Sequence, residues 1–223
     1  MRQLFFLLLL LCFSFGGYGR EKGELDAYLL SKGLIDVSRI DTTLRISLSY
    51  ATPCNFMGEA VYKGISGIWL HPDAAAKLLK AQRLLQAKHP GYALLVYDAA
   101  RPMSVQRRMW DLVKGTSQTN YVSNPAKGGG LHNYGMAIDV ALTDASGKLL
   151  PMGTPFDYFG EEAHTNREEA LLQSGRITRE AFHNRHLLRE IMRQAGFRPI
   201  LYEWWHFNAC TREEARKHYP LID

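Results

Sequence analysis

The run Ala137-Ile138-Asp139-Val140-Ala141-Leu142 is apolar apart from one carboxylate. A short apolar run of this kind is consistent with a strand buried in a sheet. The chain enters it through Gly128-Gly129-Gly130, a flexible segment that ends any preceding element. We therefore predict a strand over residues 137–142, with Asp139 as its only charged side chain.

Further elements are predicted on both sides of this strand. Apolar residues at helical spacing predict helices over 24–34, 71–88, 104–113 and 179–195. Alternating or compact apolar runs predict strands over 44–50 and 92–97, and a last strand follows residue 197. Helices gathered early and strands gathered around polar clusters are typical of the α+β class. We expect a single domain with a mainly antiparallel central sheet flanked by helices.

The amino terminus differs from the rest of the chain. Met1-Arg2-Gln3 is a short positive start, residues 4–15 are almost wholly apolar, and Gly17-Tyr18-Gly19 has the small-x-small form of a cleavage site. The apolar run is too short for a membrane span, which needs about 20 residues. The pattern predicts a cleavable signal peptide over 1–19, a folded domain over 20–223, and a secreted or periplasmic protein without a membrane span after cleavage.

The composition is that of an ordinary globular protein. Of 223 residues, 46% are hydrophobic and 22% are charged, which excludes a disordered or collagen-like chain. The net charge of +5 is mild and interspersed, so no nucleic-acid-binding surface is indicated. The triple glycine at 128–130 leads to a strand and not to the helix that a phosphate-binding loop needs.

Two cysteines, Cys54 and Cys210, lie in the predicted folded domain. In an oxidising compartment they could form a disulfide. Sequence alone does not place their Cα atoms within bridging distance. A disulfide and two free thiols therefore both stay open.

Two polar motifs carry the chemistry, His132-Asn133-Tyr134-Gly135-Met136-Ala137-Ile138-Asp139 and Glu203-Trp204-Trp205-His206. A catalytic zinc takes three protein ligands with nitrogen or oxygen donors and leaves a position for water. His132, Asp139 and His206 provide such a set, and Gly135 allows a tight turn between the first two. These residues predict one Zn²⁺ per chain, held on the sheet.

Glu203 lies three residues before His206. On a bend, its carboxylate would stand beside the metal without binding it, where it could act as general base on a metal-activated water. The alternative is that these are ordinary structural residues, because a lone histidine in a strand is usually no ligand and Glu-x-x-His alone is a weak signal. Residue spacing leaves the two interpretations about equal.

The motifs resemble the zinc motifs of the D-alanyl-D-alanine dipeptidase family, which includes the vancomycin-resistance dipeptidases. The family pattern is Ser-x-His-x-x-Gly-x-Ala-x-Asp, followed far downstream by Glu-x-x-His. The chain matches at His132, Gly135, Ala137, Asp139, Glu203 and His206, and Trp204-Trp205 also fits. Weaker matches, in the same order, are Tyr50-Ala51-Thr52, Asn55-Phe56, Asp98-Ala99-Ala100-Arg101-Pro102, Met152-Gly153-Thr154-Pro155-Phe156-Asp157 and Gly196-Phe197. The resemblance covers roughly residues 45–210.

The resemblance implies roles for two further residues. Arg101 would stabilise the oxyanion that develops during peptide hydrolysis, as a fixed guanidinium can. Asp157 would receive the free ammonium of the substrate. From the residues alone, Arg101 is better explained by a salt bridge to Asp98 that closes a turn, and Asp157 by a turn position. The family serine two places before the first ligand is Gly130 here, which leaves the exact dipeptide and its stereochemistry open.

The resemblance therefore implies a zinc metallopeptidase that hydrolyses D-alanyl-D-alanine or a related short cell-wall dipeptide. One rival is a peptidoglycan D,D- or L,D-carboxypeptidase of the same fold. Asp157 argues against it, because a stem peptide has no free ammonium next to its scissile residue. The other is a non-catalytic, zinc-stabilised cell-wall binding module, which has no need of Glu203 or Arg101. The expected partner is a small dipeptide and not a nucleic acid, and the oligomeric state stays open.

Overall fold

The computed structural model describes residues 23–223, and the predicted signal peptide lies outside them. The helices and strands follow one another in the order α1 (Glu24–Ser31), β1 (Ile35–Asp36), β2 (Arg45–Ile46), β3 (Trp69–Leu70), α2 (Pro72–Lys88), β4 (Ala93–Asp98), α3 (Met103–Val113), β5 (Ala137–Thr143), α4 (Glu168–Gln173), α5 (Arg179–Gln194), β6 (Arg198–Pro199), β7 (His206–Asn208) and α6 (Arg212–His218). In this part of the chain no helix is long and apolar enough to cross a membrane.

The main sheet has the strand order β2-β4-β5-β7-β6. The β2–β4 pair is parallel, and the other three pairs are antiparallel. The predicted α+β class with a mainly antiparallel sheet is confirmed, although the sheet is mixed. Across the antiparallel pairs, Asp139 lies opposite His206 on one side and Asp98 on the other. The register thus brings three polar residues from distant parts of the sequence side by side.

The strand β5 is buried along its whole length. Residues of α2 and α5 belong to the same core as β5, and Leu78 and Leu188 are fully buried there. Burial of a side chain of this size contributes roughly 1.5–3 kcal/mol to stability. Phe156 contacts Tyr97 and Trp205 with ring centroids 4.7 and 5.4 Å away. A buried β5 on a fixed sheet gives Asp139 a rigid support.

The two long helices begin at residues that satisfy their free amide groups. His71 caps α2, with Pro72 at the first helical position, and Thr178 Oγ1 accepts a hydrogen bond from Ala181 N at the start of α5. Both helices agree with the predicted ranges to within a residue or two, as does α3. The apolar spacing therefore identified them correctly.

The strand predicted over 44–50 is wrong for most of its length. Only Arg45–Ile46 pair as a strand, and Ser49–Ala51 form a short 3₁₀ helix. Leu44, Leu48 and Tyr50 are buried and Ile46 is exposed, so the alternation marks inward-facing side chains at three of its four apolar positions. The chain nevertheless turns at residue 49, which carries Tyr50 toward Asp157. In this segment the alternation of apolar residues therefore reflects burial of side chains and does not indicate pairing with a neighbouring strand.

Both cysteines of the folded region are free. Cys54 is exposed and Cys210 is half-buried. Of the two alternatives that the sequence left open, the structure has the free thiols.

Candidate metal centre and its cavity

His132, Asp139 and His206 form one cluster in which a ligand atom from each lies within 4.8 Å of the others. His206 Nδ1 is 2.9 Å from Asp139 Oδ1, and His132 Nε2 is 3.3 Å from the same oxygen. The two ring nitrogens are 3.1 Å apart. The cluster combines a residue of the 3₁₀ turn Leu131–Tyr134, one of β5 and one of β7. The three predicted ligands are therefore brought together.

Each imidazole is oriented through its other nitrogen. His132 Nδ1 is 2.6 Å from the carbonyl oxygen of Ala99, and His206 Nε2 is 2.8 Å from Asn208 Oδ1. A carbonyl oxygen only accepts, so each of these nitrogens donates its hydrogen there. The neutral rings then present the lone pairs of His132 Nε2 and His206 Nδ1 to each other. Such outer partners are usual for metal-binding histidines.

This arrangement fits a metal ion. Two imidazole lone pairs and a carboxylate oxygen converge at hydrogen-bond distance, and none of the three atoms has a hydrogen to donate in that state. A cation removes this repulsion, and two histidines with one carboxylate is a usual ligand set for catalytic zinc. In the metal-free protein, burial alone would raise the pKa of Asp139, but the positive charge and hydrogen bonds of His132 and His206, when these rings are protonated, hold it well below its usual range. The carboxylate is thus kept ionised.

Glu203 stands next to the cluster without joining it. Its Oε2 is 3.8 Å from His206 Nδ1, beyond hydrogen-bond distance. The side chain is almost buried, and this burial raises the pKa of Glu203 to about 8, although His206 opposes the effect. A carboxylate poised near neutral pH can both accept and return a proton. The position agrees with the one predicted from Glu-x-x-His.

Arg101 makes the salt bridge to Asp98 and also lines the cavity beside the cluster. Its Nε and Nη2 donate to Asp98 Oδ2 at 3.0 and 2.5 Å, and Nη1 donates to Gln106 Oε1 at 3.0 Å. Tyr62 donates to the other oxygen of Asp98. Three of the five guanidinium hydrogens are used within residues 23–223, and the other two are left for a ligand. The salt bridge therefore fixes the guanidinium in place rather than removing it from the site.

Asp157 has an unusual backbone and environment. Among the residues described, it is the one non-glycine residue with a left-handed backbone, at φ 59°. Tyr50 donates to its carboxylate, with the hydroxyl 3.0 Å from both oxygens. Burial raises the pKa of Asp157 to about 7, and Asp139 adds to the effect. Strained residues of this kind are concentrated at functional sites.

The six predicted site residues line a single cavity of about 480 Å³. Its lining includes Arg101, His132, Asp139, Asp157, Glu203 and His206. This volume is in the range of small-molecule sites. A small ligand in the cavity would reach the metal cluster, Glu203 and Asp157 together.

Sequence reasoning missed Asn208 and the role of Tyr50. Asn208 is two residues after His206 on one strand, so strand periodicity could have placed both side chains on the same face. No local signal connects Tyr50 with Asp157. His183 and His186, which could have formed a second polar face on α5, are both exposed and lie outside the cavity.

Comparison with known proteins gives consistent matches over most of the chain. A peptidase family model described as D-ala-D-ala dipeptidase matches residues 30–222. A D-alanyl-D-alanine dipeptidase of Escherichia coli (strain K12) is 35% identical over 189 residues, 85% of this chain and 89% of the relative. One of Enterococcus faecium is 32% identical over 187 residues, 74% of this chain and 85% of the relative. One of Enterococcus faecalis (strain ATCC 700802 / V583) is 28% identical, covering 80% and 92%.

Proposed function

This chain belongs to the D-ala-D-ala dipeptidase family of peptidases, and we propose that it hydrolyses D-alanyl-D-alanine or a related short cell-wall dipeptide with the help of one zinc ion. The observation that carries the proposal is the convergence of three lone-pair donors in one cavity with Glu203, Arg101 and Asp157. His132, Asp139 and His206 would hold the zinc. When bound, zinc supplies a Lewis acid that polarises the attacking water and the scissile carbonyl.

The residues of the chain divide the remaining work. Glu203 takes a proton from the attacking water and delivers it to the leaving amine. Arg101 is fixed by Asp98, and it directs its two unused N–H groups at the negative charge that develops on the scissile carbonyl oxygen. Asp157, held by Tyr50, pairs with the substrate ammonium. Each group faces a charge that the reaction creates or the substrate carries.

The proposal is tested by release of free alanine from D-Ala-D-Ala by the purified protein, with zinc and after chelation. We expect zinc-dependent release that chelation abolishes and added zinc restores. Absence of release in a protein that binds one zinc would refute the dipeptide substrate and keep the metal site. Zinc-independent release would refute the metal mechanism.

The carboxypeptidase alternative differs in its use of Asp157. A dipeptidase needs the ammonium that Asp157 receives, whereas an enzyme that trims longer stems does not. We expect N-acetyl-D-Ala-D-Ala to be cleaved far more slowly than D-Ala-D-Ala. Equal rates on the two compounds would favour the carboxypeptidase.

The binding-module alternative predicts zinc and wall binding without turnover. Burial of Glu203 in the cavity wall argues against it, because burying an ionisable group is costly unless it is used or paired. The ion-pair contact of Glu203 within residues 23–223 is the long one of 3.8 Å to His206 Nδ1.

Residues 1–19 support export of the protein to the periplasm or medium. Fractionation of cells and amino-terminal sequencing of the mature chain test that assignment, with cleavage expected after Gly19.

A further inference from the structure

One part of the cavity lining is cationic and has no acidic partner. The lining includes Arg212 and Lys127 in addition to Arg101. Arg101 is neutralised by Asp98. Within residues 23–223, no carboxylate forms an ion pair with Arg212 or Lys127, while Arg212 Nη2 lies 3.4 Å from Ser123 Oγ. A guanidinium and a hydroxyl therefore stand together at the cavity, ready for an anion.

Gly130 explains why the Ser123 hydroxyl can occupy this place. A Cβ atom at residue 130 would lie 2.9 Å from Ser123 Oγ and 3.2 Å from Ser123 Cβ, and apart from its two chain neighbours no other residue among 23–223 would approach it within 4 Å. The backbone of Gly130, at φ −105°, does not itself require glycine. The missing side chain thus leaves space, two residues before His132, that Ser123 fills.

Ser123 is held firmly in this space. Its carbonyl oxygen accepts a hydrogen bond from Gln106 Nε2 at 2.7 Å, and Gln106 Oε1 accepts one from Arg101 Nη1. Gln106 is buried. A buried chain of hydrogen bonds therefore sets the position of Ser123 relative to Arg101. Groups fixed in this way bind a ligand with little loss of conformational entropy.

We propose that Ser123 and Arg212 form a subsite for a substrate carboxylate, an inference that rests on the proposed dipeptidase function. A dipeptide with free ends is a zwitterion, and Asp157 serves its ammonium. Its carboxylate needs a cation that is not already neutralised, and a guanidinium with a neighbouring hydroxyl gives charge-assisted hydrogen bonds. The bound group is the terminal carboxylate of the dipeptide.

The test is calorimetric binding to the zinc-loaded Glu203→Gln protein, which reports affinity whether or not the protein turns substrate over. D-Ala-D-Ala is compared with its carboxyl-terminal amide. We expect the acid to bind at least about tenfold tighter, as for hydrogen bonds to a charged group. Adding Ser123→Ala or Arg212→Gln should weaken acid binding and leave amide binding unchanged. Lys217→Gln, which removes one charge from the exposed side of the same helix, is the matched control and should keep the preference.

A reciprocal exchange tests the hydroxyl itself. Gly130→Ser alone should displace Ser123 and reduce the preference for the acid over the amide. Gly130→Ser combined with Ser123→Gly should restore this preference, because a serine hydroxyl then occupies the same space from residue 130. Equal binding of acid and amide by the starting protein would overturn the subsite. A preference that survives both Ser123→Ala and Arg212→Gln would overturn the assignment of residues. Tighter binding of D-Ala-D-Glu α-amide than of D-Ala-D-Ala would overturn the terminal carboxylate in favour of a side-chain one.

These outcomes are separable from the proposed function. Turnover of D-Ala-D-Ala is measured on the protein with Glu203 intact, and carboxylate preference on the Glu203→Gln protein. Acid-selective binding without turnover would refute the dipeptidase and keep the subsite. Turnover without acid selectivity would keep the dipeptidase and refute the subsite.

Discussion

Trp204 Nε1 donates a hydrogen bond to Thr154 Oγ1 at 2.8 Å. Trp204 follows Glu203 directly, and Thr154 lies three residues before Asp157. The contact therefore joins the segment that carries Glu203, the proposed general base, to the loop that carries Asp157, the proposed ammonium-binding carboxylate. Arg185 supports the same loop, because its Nε donates to the carbonyl oxygen of Met152 at 2.6 Å and its guanidinium stacks over Trp204.

Loss of the Trp204–Thr154 hydrogen bond should impair catalysis as well as stability. In Thr154→Val the methyl groups fill the space, but the indole N–H loses its acceptor at a cost of about 1–3 kcal/mol. We expect kcat/KM for D-Ala-D-Ala to fall about tenfold, while zinc affinity stays unchanged. Thr154→Ser, which keeps the acceptor, is the control. An unchanged kcat/KM in the valine variant would show that the contact does not position the site.

Zinc should stabilise the folded protein strongly. The unfolded chain has no converged ligand set, so zinc binds the native state and shifts unfolding by RT ln(1 + [L]/Kd), about 4 kcal/mol at a thousandfold excess over Kd. Thermal unfolding with zinc and with a chelator measures this shift. His132→Ala should abolish it, and Lys217→Gln should leave it unchanged.

Glu203→Gln should separate metal binding from turnover. The amide keeps the shape of the side chain but has no basic oxygen to take a proton. We expect kcat to fall by about 10² to 10⁴-fold, the usual contribution of a general base. Zinc content, measured by metal analysis, should equal that of the unaltered protein. A variant with near-normal kcat would exclude Glu203 as the base.

Asn208→Ala should lower the zinc affinity, although Asn208 is not one of the three proposed ligands. The substitution removes the acceptor of His206 Nε2–H, and loss of such a partner typically lowers metal affinity 10- to 100-fold. Competition with a chelator of known affinity measures the change. Asn208→Asp keeps an acceptor and should bind zinc at least as well as the unaltered protein. Equal affinities in all three proteins would show that Asn208 does not orient His206.

Asp157 should make stability depend on pH in the chelated protein. Its pKa is about 7 in the folded chain against an ordinary value of 3.8, because burial disfavours the charged form and Asp139 repels it. A raised pKa in an acid means that the stabilising contribution is complete below about pH 4 and is lost as the pH rises through 7. Tyr50 and Arg101 face the same carboxylate and partly offset this loss.

The comparison variant is Asp157→Asn, which accepts the same left-handed backbone and cannot ionise. Between pH 4 and 8 the unfolding free energy of the unaltered protein should fall relative to the variant by up to about 4 kcal/mol. Urea unfolding at several pH values, with chelator present, measures the difference. Parallel pH profiles for the two proteins would contradict the raised pKa.

Much of the fold followed from local patterns. The helices α2, α3 and α5 agree with their predicted ranges because each has an amphipathic repeat and a clear start or stop residue, such as Pro72 or Gly196. The strand predicted over 44–50 failed because alternation reports which side chains are buried and not whether a neighbouring strand is present. Pairing partners come from other parts of the chain and leave no local signal.

The sequence by itself indicated the candidate metal ligands and the candidate base, since their residue types and short spacings are a condition of the proposed chemistry. It also determined α2 and α5, because the apolar face of an amphipathic helix can be recognised from the spacing of residues within that helix alone. Only the tertiary structure decided that Tyr50 binds Asp157, that Asn208 orients His206 and that Ser123 fills the space beside Gly130. Tyr50 and Asp157 are 107 residues apart, and their contact exists only after the sheet register and the loops have brought them together. Ser123 and Gly130 are close in the sequence, but the fold of the loop between them sets which side chain occupies the space.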